Sequence, residues 1–550
     1  LRRCIVCDEL YDAKLRRCPT CFGPDEPEQP TIESHAGADG ALDAPLSPYV
    51  GAIALAVIVL VSAVLRFWEL GRKSLWLDEL FTASVTGHGP LAAFAADVSD
   101  TNPPLYYMLQ SMVSPFLGRS DAAMRVLPAV LGVATTAVIY FAGKRIFGRK
   151  AGLCAAALFA IAPIAVQYGQ EARMYSLLML GCSLELLAFA ALVEKPNPFR
   201  AGLLACALAI VAYTHVYGYM AAGLLIVPVL AIPRLRKRVG RMFGFVAAGA
   251  LVLFIPWAMA VPVQIQKVRS AAAQGNWWMG APSEVFSAFV DNLTRLAPSV
   301  SLVPAGTFLG LLINGSHGLE RLETDDADAP IDDEARLNPV EAIVVLLTVA
   351  LAPVFIGLVV SKYITPIATL RNSLVALPAL CLLAARGALR LPRWAMVSAL
   401  SVLLLFSLVA LPGYYAESSK GQWHAAAEYV FQTDPKPVVV TEDYENALEL
   451  TTYADILGEG DEMKLKWMSN SVSSDTGTVT VLAFDSSTVG PLRTFLAGER
   501  EVFVISRDSE SKVDEVLATM PEWRRDRVQE FRTAPYIRIW KRSSEATATP

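Results

Sequence analysis

The chain has 550 residues, of which 54% are hydrophobic and only 18% charged, against about one quarter charged in an average soluble protein. Its mean hydropathy is +0.42, and long apolar runs alternate with short polar links. This excludes a single water-soluble globule, and a formal net charge of -5 lacks the basic footprint that nucleic acid requires as a partner.

Residues 1–21 read as a compact cysteine-rich module. Cys4-Ile-Val-Cys7 and Cys18-Pro-Thr-Cys21 are paired thiolates two residues apart. Each pair can chelate from one knuckle, and two knuckles make a closed tetrahedral Cys4 site for structural zinc. A redox dithiol pair or unliganded cysteines are the competing readings. Residues 22–47 carry Pro24, Pro27, Pro30 and several acids without apolar periodicity, the pattern of a flexible linker. The first apolar run starts near residue 48, behind this polar segment, so no cleavable signal peptide is expected. Cys154, Cys182, Cys206 and Cys381 lie in apolar runs and read as small buried hydrophobes.

A membrane span needs roughly 20 apolar residues, about 17 at the least. Eleven segments qualify: 48–68, 121–142, 151–167, 174–193, 199–214, 217–233, 241–259, 297–314, 339–360, 371–387 and 392–412. The eighth is the weakest. Basic links at Lys144, Arg145, Arg149 and Lys150, at Arg234, Arg236, Lys237, Arg238 and Arg241, and at Arg386, Arg390 and Arg393 put the N-terminus in the cytoplasm. Eleven crossings then leave residues 413–550 outside. The acidic run at 320–334 reads as a solvated loop. Residues 413–550 alternate short apolar strands (Val438–Thr441, Val479–Phe484, Val502–Ile505, Tyr536–Trp540) with helical stretches at 445–457 and 509–519, the pattern of a small soluble α/β domain.

The loop between the first two spans is too long for a simple connector. It carries Ser74-Leu75-Trp76-Leu77-Asp78-Glu79-Leu80, then Asp100-Thr101-Asn102-Pro103-Pro104-Leu105. Adjacent carboxylates at a membrane surface are costly unless used or paired. Gln170-Glu171-Ala172-Arg173-Met174-Tyr175 and Thr214-His215-Val216 fall on the same side of the bilayer, and this convergence argues for a site. The bland readings are a helix cap for Asp78 and Glu79, a headgroup anchor for Arg173 and a packing role for His215.

The W-x-D-E motif, the Asp100–Leu105 stretch and the Gln170–Tyr175 stretch, followed by Arg371-Asn372-Ser373-Leu374, resemble in order and spacing the GT-C glycosyltransferases of the protein O-mannosyltransferase and aminoarabinose-transferase type. The resemblance covers about residues 50–430. Asn102 stands where that family often has His, and Asn372 where it usually has Tyr. Gln422-Trp423-His424 resembles a family junction and reads as structural.

The resemblance implies a polytopic α-helical membrane protein of the cell membrane, with a polyprenyl-phosphate sugar as donor and a lipid, glycan or protein hydroxyl as acceptor. Transfer would be inverting and on the extracytoplasmic face. Asp78 is the candidate base, with Glu79 second and Asp100 orienting a substrate. Arg173 and Arg371 are candidates for the leaving phosphate. Glu171, Tyr175, His215 and Asn102 line the pocket in this reading, and a divalent ion there is left open. Two rivals from other classes are a transporter or flippase of a lipid-linked glycan, which would place its charges near mid-membrane, and a zinc-bearing membrane scaffold.

Overall fold

The computed structural model describes residues 2–3, 10–11, 47–97, 102–273, 298–317, 336–363, 369–416, 420–433, 438–441, 444–458, 463–467, 479–483, 489–496, 499–507, 511–531 and 535–542. Residues Leu1–Pro45 form one compact unit and Leu46–Pro550 another. In the first unit, β1 (Arg2–Arg3) pairs antiparallel with β2 (Leu10–Tyr11). Cys4, Cys7, Cys18, Cys21, Asp100 and the acidic run at 320–334 lie outside the described residues.

The second unit begins with α1 (Pro48–Phe67), started by Pro48 at its first position with the Ser47 hydroxyl accepting from the Val50 amide. The helices α2 (Leu77–Thr86), α3 (Pro90–Asp97) and α4 (Leu105–Leu117) fill the long first loop. Then follow α5 (Asp121–Phe147), α6 (Arg149–Ile161), α7 (Pro163–Gly169), α8 (Tyr175–Glu194), α9 (Pro198–Ala212), α10 (Val216–Leu224), α11 (Ile226–Ala231), α12 (Pro233–Ala258) and α13 (Val261–Ala273). The helical part ends with α14 (Pro298–Ser316), α15 (Pro339–Tyr363), a 3-10 turn (Leu370–Ala376), α16 (Leu377–Leu389) and α17 (Arg393–Ala416).

All eleven apolar segments are helical, but they are not eleven equal spans. Among the described residues, seven helices are long and apolar enough to cross a membrane. The segment at 151–167 is instead α6 and α7, bent by 64°, because Pro163 has no N–H for the Phe159 carbonyl four residues back. Arg66 of α1 supplies donors there. Its guanidinium is fully buried and bonds the Ala160 carbonyl at 3.1 Å and the Phe159 carbonyl at 3.4 Å. The expected span at 217–233 breaks at Leu225. The expected span at 199–214 holds a shorter apolar helix, Pro198–Ala212, and that at 297–314 is the helix Pro298–Ser316.

The hairpin of α5 and α6 turns at Gly148, whose φ of 95° favours glycine. Above it Gly143 faces Gly152 so closely that a Cβ on Gly143 would stand 2.7 Å from the Gly152 Cα. Helix α8 is the most enclosed of the long helices before the 3-10 turn. By contrast α1 shows apolar residues such as Ile53 and Leu60 to its surroundings, as a lipid-facing helix does. Cys182 and Cys381 are buried as expected, whereas Cys154 is half-buried and Cys206 exposed.

After α17 come α18 (Trp423–Gln432), β3 (Val438–Thr441), α19 (Tyr444–Leu457), β4 (Met463–Trp467), β5 (Val479–Ala483), β6 (Glu501–Ser506), β7 (Trp523–Glu530) and β8 (Tyr536–Arg542). The sheet order is β4-β5-β3-β6-β8-β7, with β8 antiparallel to both β6 and β7 and the remaining pairings parallel. This sheet is not packed apart from the helices. Trp423, Leu450, Tyr453, Phe503 and Ile537 share one core cluster with Leu75 and Leu80 of the first loop and Ala172 of the α7–α8 link.

Candidate active site

The site is built around α2, whose N-cap is Trp76. Neighbours on a helix point about 100° apart, so Asp78 and Glu79 cannot share a surroundings. Glu79 points inward and is fully buried. Its Oε1 accepts from Arg125 Nε at 2.8 Å and from the Ala172 amide at 2.9 Å. Its Oε2 accepts from Arg125 Nη2 at 2.7 Å, Lys420 Nζ at 3.1 Å and, as a capping carboxylate, the Trp76 amide at 3.3 Å. Burial alone would raise the carboxyl's pKa; the charges of Arg125 and Lys420 outweigh it and bring the value down to about 2. Arg125 also bonds the carbonyls of Leu70, Lys73 and Ser74. One buried ion pair thus ties α5, the first loop, the α7–α8 link and the start of the C-terminal region.

Asp78 points the other way and keeps 29% of its side chain exposed. Its Oδ2 accepts from Arg371 Nη1 at 2.6 Å, and the Arg371 guanidinium lies 4.5 Å from the centre of the Trp76 ring. Arg173 reaches the Asp78 carbonyl at 3.1 Å and lies over Tyr107. Tyr175 sits within electrostatic reach of Arg371, Arg173, Asp78 and Glu171. Segments separated by nearly three hundred residues therefore converge on one half-open patch.

Glu171 is buried, with Lys420 Nζ 3.7 Å from its Oε1. His215 is buried beside Tyr175, ring centres 5.9 Å apart. Its Nδ1 accepts the Tyr217 amide at 3.1 Å as the cap of α10, so the ring proton sits on Nε2. Burial and then the Arg173 charge push its pKa down to about 3, and the ring is neutral. Asn102 is buried, its carbonyl accepting from Gln264 Nε2 of α13 at 3.0 Å. Next to it the Leu105 amide bonds the Tyr213 carbonyl at 3.1 Å, tying the double proline to the end of α9. Asn372 hydrogen-bonds the Tyr217 hydroxyl.

Three groups at the site had not been singled out in the sequence: Arg125, Lys420 and Asp121. Asp121 accepts from the Tyr453 hydroxyl at 2.9 Å and pairs with His424 Nδ1 at 2.9 Å, linking α5 to α18 and α19. The signal for Arg125 was there, since arginine inside an apolar run needs a partner. Among the described residues no three His, Cys, Asp or Glu side chains converge on one point. Among the described residues, Arg371 bonds the Asp78 carboxylate and Arg173 its main-chain carbonyl.

Residues 101–259 match the profile of the family described as dolichyl-phosphate-mannose-protein mannosyltransferase. That stretch holds Asn102, Glu171, Arg173, Tyr175 and His215 but neither Asp78 nor Arg371. No curated protein sequence matches the chain. Apo ArnT from Cupriavidus metallidurans is structurally similar over 90% of this chain and 98% of its own, with a TM-score of 0.57 at 15% identity. The same organism's ArnT bound to undecaprenyl phosphate is similar over 90% and 99%, with a TM-score of 0.54 at 14% identity. The apo oligosaccharyltransferase of Archaeoglobus fulgidus aligns over 84% and 70%, with a TM-score of 0.49 at 11% identity. The likeness to ArnT is one of fold.

Proposed function

We propose that the chain is an inverting glycosyltransferase that moves a sugar from a polyprenyl-phosphate donor to a hydroxyl acceptor. The carrying observation is the Asp78–Arg371 pair at 2.6 Å on a half-open patch, with Arg173 beside it. Asp78 takes the acceptor hydroxyl's proton as that oxygen attacks the anomeric carbon. The bond from that carbon to the phosphate oxygen breaks, and the charge left on the phosphate is met by Arg371 and Arg173. Glu79 has no free edge for chemistry, so its role is to hold α2 and Ala172 in register. Tyr175 and the Nε2–H of neutral His215 are donors for sugar hydroxyls, and Asn102 and Glu171 shape the wall. Asp100 orients a substrate.

In this reading the chain crosses the cell membrane eleven times with a cytoplasmic N-terminus, and both the site and the C-terminal α/β domain face out. The structure of Cupriavidus metallidurans ArnT bound to undecaprenyl phosphate supports the donor class. Purified full-length protein should release polyprenyl phosphate from a panel of polyprenyl-phosphate sugars when given the matching acceptor. No release across donors and acceptors from membranes of its host, with intact donor moved instead between leaflets of a vesicle, would favour the flippase reading.

The N-terminal cysteines Cys4, Cys7, Cys18 and Cys21 are proposed to hold one structural zinc, on the strength of their spacing. Elemental analysis should find about one zinc per chain and a loss in a variant lacking these cysteines; equal metal content in both would refute it.

A further inference from the structure

A second site lies at the other end of α8. Tyr175 starts this helix beside Asp78, and Glu194 ends it, roughly 30 Å away at about 1.5 Å per residue. There α5, α8 and α9 leave a groove of about 700 Å³, within the range of about 300–1,000 Å³ that small ligands occupy. Its walls are apolar, with Phe141, Leu184, Leu187, Leu203 and Ile210 among them. Phe141 and Leu203 are about half exposed, so the groove opens sideways, where a bilayer would surround the helix.

The lip is charged. Lys144, Arg145 and Arg336 border the groove together with one acid, Glu194. Arg145 contacts Glu194 at 3.3 Å, and Arg200 approaches the same carboxylate at 3.8 Å. Lys144 is half-buried, with no side-chain partner among the described residues. A lysine that merely reached for the headgroups would need no groove below it. Among the described residues that line it, three basic side chains and one acid stand at the end of an apolar trench, the complement of an acyl chain under a negative head.

We propose that this groove binds one anionic glycerophospholipid, with an acyl chain between α8 and α9 and its phosphate at Lys144, Arg145 and Arg336. Basic pockets between helices select anionic over zwitterionic lipid because the latter brings its own cation against the rim. The site is separate from the transfer chemistry, and its occupancy does not depend on that activity.

Native mass spectrometry of the delipidated full-length protein in detergent tests it, with phosphatidylglycerol and phosphatidylcholine in competition. The wild type should retain one phosphatidylglycerol with a preference of about tenfold. Lys144→Gln should cut that preference by about fivefold, Lys144→Arg should keep it, and Leu203→Trp, filling the trench at an exposed position, should release both lipids. Equal retention of the two lipids by the wild type, or an unchanged preference in Lys144→Gln, would overturn the proposal. Displacement of phosphatidylglycerol by equimolar inorganic phosphate would overturn it too, by marking a site for free anions.

Discussion

Asp78 and Glu79 are adjacent carboxylates on the first turn of one helix, yet they stand in opposite surroundings. Glu79 has no exposed surface and five donors drawn from four segments of the chain. Asp78 is part-exposed and has one arginine partner on its carboxylate, itself half-open. A buried, saturated charge costs too much to disturb and so serves as a fixture. A half-open charge can exchange its partner for a substrate. In the proposed mechanism the same chemical group is a rivet in one region and a reactant in the other.

The largest effect that would break this comparison is on turnover. Asp78→Asn removes the proposed base without removing a buried charge. It should lower turnover by about 10²–10⁴-fold and leave the unfolding midpoint near that of wild type. Wild-type turnover in this variant would end the assignment of Asp78. Glu79→Gln should do the reverse first. It leaves Arg125 buried and unpaired, at a cost of about 3–5 kcal/mol, seen as a lower unfolding midpoint. Pairing it with Arg125→Met should recover much of that stability, because the pair's attraction is spent largely on its own desolvation. If Glu79→Gln melts like wild type and only turnover falls, the two carboxylates have exchanged roles.

The sequence makes the convergence of Asp78 and Arg173 legible because each sits at an apolar boundary that the span count puts on one side, and Arg371 is reached only through the family resemblance. It cannot say which of two neighbouring acids points inward, since either phase of α2 suits an interfacial helix. Arg125 and Lys420 escape for a related reason: their partner is 46 and 341 residues away, and no local pattern encodes such a pairing. The eleven apolar segments are plain, but the 64° bend depends on Pro163 being matched by Arg66 from another helix. In the C-terminal domain the four strands read from apolar runs are present, whereas β4 and β7 were missed. These are the two edge strands of the sheet, and Met463-Lys-Leu-Lys-Trp467 and Trp523-Arg-Arg-Asp-Arg-Val-Gln-Glu530 carry the charges by which edges avoid further pairing.

A smaller effect sharpens the comparison at its seam. Lys420 is the C-terminal region's contribution to the Glu79 cluster and lies 3.7 Å from the Glu171 carboxylate. Lys420→Met should cost about 1.5–3 kcal/mol, the worth of a hydrogen bond to a charged group, while Lys420→Arg should restore most of it. Hydrogen exchange at the Ala172 amide should rise in the first variant only. If both variants behave like wild type, Arg125 alone holds Glu79.

The smallest expected effect concerns pH. His424 is part-exposed, bonded to Asp121 and close to Glu428. The hydrogen bond to Asp121, ahead of the charges of Asp121 and Glu428, raises its pKa above the ordinary value of 6.5. A raised folded-state pKa means that protonation stabilises the fold. The contribution is complete below about 6.5 and is lost as pH rises through the higher folded value. Because His424 is part-exposed, solvent screening keeps the effect within ~0.2–1 kcal/mol. Glu79 has the opposite sign: its lowered pKa makes its contribution complete above the ordinary carboxylate range, and it is lost only as pH falls through about 2. Between pH 6 and 8.5, therefore, the Glu79 cluster should hold constant while the seam of α18 and α19 against α5 loosens. Limited proteolysis of the C-terminal domain across that range should show faster cleavage at the alkaline end in the wild type and a flat profile in His424→Gln. An equally steep profile in that variant would place the titrating group elsewhere and leave His424 a packing residue.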